Sequence, residues 1–162
     1  MTIFSAWCCR QSNHCKENRM KPRWLIIAEQ ELGVHETPGP KATARIVEYD
    51  KATTLKATSD EVPWCAAFVC WCLEQAGIES THSAAAKSFL SWGIDIGDKP
   101  VEGCIVVLKF VSGNHHVTFY DGYMDSETII GLGGNQSDQV KRSNYMVEYV
   151  ESFRMPEGYD NG

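Results

Sequence analysis

At 162 residues the chain has the size of one ordinary domain, long enough to bury a core without cross-links. Its 43% hydrophobic and 22% charged residues exclude a disordered composition, and no apolar run approaches the roughly 20 residues that cross a bilayer. The net charge of −6 argues against nucleic acid or an anionic membrane surface as partner, because both reward basic patches.

Residues 1–20 differ from the rest. They hold Cys8, Cys9, His14 and Cys15 in a polar run without periodicity, and the spacing matches no standard zinc knuckle. A poorly structured extension is expected there, followed by a single domain over 21–162. The opening residues carry neither a basic n-region nor an A-x-A cleavage site, so no signal peptide is read. Seven cysteines without a regular framework point to reduced thiols and synthesis in the cytoplasm.

The domain opens with a helix over Trp24–Gly33, where positions 24, 27, 28 and 32 share a face and Gly33 is a C-terminal stop. Residues 34–42, with Thr37-Pro-Gly-Pro40, read as loop. A short helix follows at Ala44–Asp50, then a polar connection to Glu61. Pro63 sits at the first turn of a strong helix, Trp64–Gln75, closed by Gly77. The alanines at 84–86 predict another helix over Ser83–Trp92. From Gly103 the period changes, and Cys104–Val111, His115–Asp121 and Thr128–Gly133 read as strands, with Asp121–Glu127 a hairpin connection and a last strand at Met146–Phe153. Helices first and antiparallel strands second imply an α+β domain.

A thiol attacks a carbonyl as thiolate, and its pKa falls at a helix N-terminus or beside an imidazolium. Cys65 is the cysteine placed in a first helical turn, where unpaired N–H groups favour negative charge and could hold an oxyanion. Cys70, Cys72 and Cys104 read as small core residues. A base is offered by Asn114-His115-His116-Val117, where a loop enters a strand. Adjacent strand residues face opposite sides, so only one histidine can address Cys65. A hairpin pairing 116 with 133 would put His116, Gly133 and Asn135 on one face; an even-sum register would choose His115. Asn135 could orient the ring through its second nitrogen, completing a Cys-His-Asn set. The ordinary reading of Gly133-Gly-Asn-Gln136 alone is a tight turn.

A helix-borne Cys, a strand-borne His and a polar residue on the next strand follow the papain-like order of NlpC/P60 and CHAP hydrolases. More closely, the chain resembles small phage- and bacterium-associated cell-wall hydrolases. The resemblance spans about residues 22–156 and rests on Ala28-x-x-Glu31-Leu-Gly-Val34, Ile46-x-x-Tyr49, Asp60-x-x-Pro-Trp-Cys-Ala-Ala-Phe-Val69, Ser83-Ala-x-Ala86, Trp92-Gly93, His116-Val-x-Phe-Tyr120, Gly133-Gly-Asn-Gln-Ser-Asp138 and Arg154-x-Pro156. It implies a papain-like fold with N-terminal helices packed on an antiparallel sheet. It also implies cleavage of an amide in the peptide part of peptidoglycan, as amidase or endopeptidase, by an endolysin-type enzyme without cofactor or metal. In that family the His before the Val–x–aromatic strand is the base, which selects His116, with Cys65 as nucleophile and Asn135 as orienter. Tyr49, Asp60, Trp64 and Gln136 are then expected at the substrate; packing for Tyr49 and a capping role for Asp60 are the alternatives. His82 reads as a capping or solvated residue. Trp64 before the nucleophile and Ala66 after it depart from the commoner Asp-Cys-Ser form.

Peptidoglycan is thus the expected partner, met by a monomer after release from the cytoplasm, with no membrane insertion. Two other classes compete. An inactive wall-binding or phage structural module would have no reason to retain Cys65, His116 and Asn135 together. A zinc amidase using His115, His116 and a cysteine would need side chains that diverge on a strand, and H-x-x-x-H and H-x-E patterns are absent.

Overall fold

The computed structural model describes residues 20–39, 42–55 and 63–159. Helices come first: α1 (Arg23–Gln30), α2 (Ala44–Asp50) and α3 (Cys65–Gln75). Six strands are described after them: β1 (Ile94–Asp95), β2 (Ile105–Lys109), β3 (His115–Tyr123), β4 (Thr128–Gly133), β5 (Lys141–Met146) and β6 (Val150–Met155). They make one antiparallel sheet in the order β1-β6-β2-β3-β4-β5, so the α+β class read from the sequence holds. The extension expected over residues 1–20 lies, apart from Met20, outside the described residues, as does Asp60. No helix among the described residues is long and apolar enough to cross a membrane.

The helix α3 is the centre of the molecule. Every residue from Cys65 to Leu73 is buried, as expected of a helix that is apolar all round. It packs against α1 and α2 on one side and the sheet on the other, with Phe68 meeting Phe119 of β3 edge-on at 6.4 Å. Val107, Val117, Phe119 and Leu132 face this core. The opposite face of the sheet carries Val106, Leu108, Tyr120, Ile129 and Phe153, also buried. Burial on both faces explains why β2 reads Ile-Val-Val-Leu without alternation.

A polar knot ties α1 to α2. The Arg45 guanidinium donates to both oxygens of the Glu31 carboxylate, at 2.6 and 2.7 Å, and the Tyr49 hydroxyl donates to Oε2 at 2.5 Å. Tyr49 is fully buried, with its ring against Trp64, Phe68 and Trp71. Its expected place at the substrate is therefore corrected to a packing role.

Several elements differ from the sequence reading, among them the last strand, which runs Val150–Met155 rather than Met146–Phe153, and the short strand Ile94–Asp95, which was not expected. Over Ser83–Trp92 only a 3-10 turn, Ala86–Ser91, forms, because side chains take the preceding amides: Thr81 accepts from Ser83 N–H and Ser83 from Ala85 N–H. The strand β5, Lys-Arg-Ser-Asn-Tyr-Met, was not read at all. It is a sheet edge whose alternation is between half-buried and exposed residues, so it offers little apolar signal.

Candidate active site

The register of β3 with β4 decides which histidine faces the glycine loop. Phe119 pairs with Leu132 and Tyr120 with Gly131, an odd sum, which puts His116, Thr118, Gly131 and Gly133 on one face. The packing agrees, since a methyl group on Gly133 would stand 2.6 Å from both Thr118 Oγ1 and Gln136 Oε1. His115 goes the other way and pairs with Glu151 at 2.9 Å.

Cys65 reaches this histidine at the margin of the sheet. Tyr120 exchanges backbone bonds with the β2 side, through Cys104 and Gly103, so alternation turns the Val117 amide toward β4. Pairing with β4 begins only at Phe119, and the Val117 N–H donates instead to the Cys65 thiol. The His116 ring lies beside the thiol as well, and each group favours the charged form of the other.

The tautomer follows from Gln136. Its side-chain Nε2 donates to the carbonyls of Gly131 (3.0 Å) and Lys141 (2.7 Å), which leaves Oε1 as the atom facing His116 Nε2 at 3.0 Å. Turning the amide over would aim an oxygen at two carbonyl oxygens. The ring nitrogen at Oε1 must therefore carry the proton, and Nδ1 is left for the thiol. The orienting residue is thus Gln136, where the sequence reading expected Asn135. Gln136 is also buried with both ends of its amide engaged, so the substrate contact expected of it is replaced by this one.

The loop that carries Gln136 is strained and braced. Asn135, Ser137 and Asp138 all have left-handed backbone, with φ of 54°, 55° and 60°, at about 1 kcal/mol or more each. Bonds from the segment after α1 hold it: Gly33 N–H to Val140 O, Val140 N–H to Val34 O and Glu36 N–H to Asp138 O. Trp64 links this brace to the helix start that carries Cys65, since its Nε1 donates to Glu36 at 2.7 Å while its ring lies under Gly134. A methyl group on Gly134 would come within 2.5 Å of that ring. Trp64 is fully buried, and its expected contact with substrate is corrected to positioning of the helix start.

Burial resists charge on both Cys65 and His116, yet both shifts run the other way. Desolvation pushes the Cys65 thiol up, but His116 and the amides of Val117 and Ala66 outweigh it, and its pKa falls below 9.0. Desolvation pushes His116 down, but the bonds to Cys65 and Gln136 outweigh it, and its pKa rises above 6.5. No side chain caps α3, and the amide of Ala66 in its first turn acts on the thiol. Burial pushes Cys70 up, holds Cys72 well above the ordinary range and carries Cys104 to about 12. Among the described cysteines, Cys65 alone is shifted toward thiolate, and all four are free thiols.

Tyr145 completes the surroundings and was missed from the sequence. Its ring lies 5.6 Å from that of His116, tilted by 40°, and packs on Gly131, where a methyl group would sit 3.0 Å from it. Only the β4–β5 register, unreadable in advance, brings it there. His82 lies elsewhere, bonded to Glu74 near the far end of α3, about 14 Å along the helix from Cys65. No group of three His, Cys, Asp or Glu that could hold a metal stands together among the described residues. The sequence matches no protein-family model and no curated protein.

Proposed function

We propose that the chain is a cysteine-dependent hydrolase of the papain-like NlpC/P60–CHAP kind that cuts an amide bond in the peptide part of bacterial peptidoglycan. The arrangement that carries the chemistry is the thiol bonded to an imidazole whose far nitrogen is locked as N–H by Gln136. The choice of peptidoglycan rests on the motif resemblance, including Pro63-Trp-Cys-Ala-Ala-Phe-Val69 joined to Gly133-Gly-Asn-Gln136.

In this reading His116 Nδ1 takes the Cys65 proton and the sulfur attacks the carbonyl carbon. The tetrahedral oxyanion is held by backbone N–H groups at the start of α3. Imidazolium gives its proton to the nitrogen as the C–N bond breaks, leaving a thioester. Water, deprotonated by the same ring, then attacks the acyl carbon, and the C–S bond breaks to restore the thiol. Asn135 has no catalytic part in this scheme, because Gln136 takes the place expected for it. Synthesis in the cytoplasm and release to the wall complete the proposal.

The test is turbidity loss of isolated cell walls with wild type and Cys65→Ala, with mass spectrometry of the released muropeptides to name the bond. Lysis by wild type and none by a folded Cys65→Ala supports the reading. Equal lysis by both, or wall binding without new amine termini, ends it.

A further inference from the structure

A buried imidazole keeps its proton only if its neighbours favour the cation. From α3 the His116 ring meets the Cys65 thiol, and from the loop after β4 it meets the Gln136 amide oxygen at 3.0 Å. No carboxylate among the described residues acts on it, and the nearby Glu151 pairs with His115 instead. A further neighbour comes from β5. The Tyr145 ring lies 5.6 Å from the imidazole between centroids, and a tilt of 40° makes the two planes nearer parallel than perpendicular.

The surroundings of Tyr145 hold it there. It pairs with Ile129 in the β4–β5 ladder, and the Phe110 ring packs against it at 6.3 Å. Its edge crosses Gly131, where a methyl group would stand 3.0 Å from Cε2, so a residue without a side chain gives the ring its place. The phenol also stays neutral while Cys65 and His116 titrate. Burial pushes its pKa up, the Ser143 side chain opposes this, and the charge of Cys65 adds to it. A neutral aromatic ring carries negative potential on its face, and a cation within about 6 Å of the centroid is attracted to it, more strongly where water is excluded. His116 is buried and Tyr145 half-buried, so little water competes.

Resting on the hydrolase reading for the identity of the reacting pair, we propose that Tyr145 is a positioning residue of this site, whose π face holds the His116 ring beside Cys65 and stabilises it as imidazolium. The polar edge strand β5 thereby takes part in the chemistry through a single side chain.

The experiment changes the face of the ring and keeps its shape. In the full chain, position 145 receives phenylalanine (Tyr145→Phe) or pentafluorophenylalanine, whose outline is similar and whose face has the opposite polarity. Nuclear magnetic resonance of isotope-labelled histidine reads protonation, with the His116 signal identified by its loss in His116→Ala. Cys65 and His116 titrate as a pair in two steps, and in the higher step the imidazolium is lost. Tyr145→Phe keeps the face and should leave that step within about 0.3 units of its original place. Pentafluorophenylalanine disfavours the cation, so the step should fall by about half a unit to one and a half units. Tyr145→Leu, which has no π face, should move it in the same direction.

An unmoved step with pentafluorophenylalanine overturns the proposal, as does a shift of equal size in Tyr145→Phe, which would assign the effect to the hydroxyl. The titration uses no wall substrate. Failure of the unaltered chain to lyse cell walls is therefore a separate result, and it brings down the hydrolase reading instead.

Discussion

Replacing Gln136 by Leu removes three hydrogen bonds while nearly preserving volume. His116 Nε2–H, Gly131 O and Lys141 O each lose a partner inside the protein. The bond to the ring acts on a charged group, worth about 1.5–3 kcal/mol, which is about one to two units of imidazolium pKa. The sign follows from its direction: Gln136 holds the imidazolium pKa up, so its loss lowers it and the imidazolium disappears at lower pH. The thiolate then loses its counter-charge over the same range. Iodoacetamide alkylation of Cys65 followed from pH 4 to pH 10 should show both limbs moved. Turnover should fall about 10- to 150-fold, the same energy expressed as a rate. Losing partners for one buried and one half-buried carbonyl should also lower stability by about 1–3 kcal/mol, read by urea unfolding. Asn135→Ala is the control and should leave the alkylation profile in place. An unchanged profile in Gln136→Leu, or a shifted one in Asn135→Ala, would refute the assignment of the orienting residue.

Three further outcomes are expected. His116→Ala removes the main group opposing desolvation of Cys65, so the thiol pKa should rise and alkylation at pH 7 should fall at least about tenfold, whereas His115→Ala should leave it unchanged. Glu31→Gln replaces the carboxylate that Arg45 and Tyr49 share, and urea unfolding should show a loss of about 2–4 kcal/mol with alkylation of Cys65 little affected. Gly134→Ala forces a methyl group onto the Trp64 ring at 2.5 Å, and both stability, by about 1–3 kcal/mol, and Cys65 reactivity should suffer together. Normal reactivity in Gly134→Ala would mean that Trp64 does not set the position of the helix start.

The parts of the molecule that declared themselves in the sequence are those whose signal is local. The helix bearing Cys65 could be read from Pro63 and Gly77, and the parity argument for the histidines needed only one register to be resolved. Asn135 was misread for a definite reason. The alternation that carries a face along a strand was continued two residues past Gly133, but β4 ends there and Asn135 is left-handed. That turn of the backbone rotates the sequence of side chains, and Gln136 rather than Asn135 arrives at the ring. Tyr49 and Trp64 were misplaced because a tyrosine or tryptophan beside a reactive motif looks the same in sequence whether it faces substrate or core. Their partners, Glu31 and Glu36, lie 18 and 28 residues away. Nothing in a polar edge strand advertised Tyr145.

Cys65 and Cys104 show why burial by itself says little about reactivity. Both are almost wholly inside the protein, at 6% and 0% exposure, and desolvation is the largest influence on each. Around Cys104 a single backbone amide opposes it, from Val101, and the thiol stays neutral far into alkaline pH. Around Cys65 an imidazole and two amides act together, and the balance reverses. One of those amides is available because β4 departs from β3 before Val117, and the imidazole is available in the required tautomer because a strained loop presents Gln136. The same dry surroundings that oppose each charge separately make the attraction between them stronger than it would be in water. A buried thiol is therefore shifted toward thiolate here through the ending of one strand and the shape of the loop that follows it, two features of backbone geometry rather than of the cysteine.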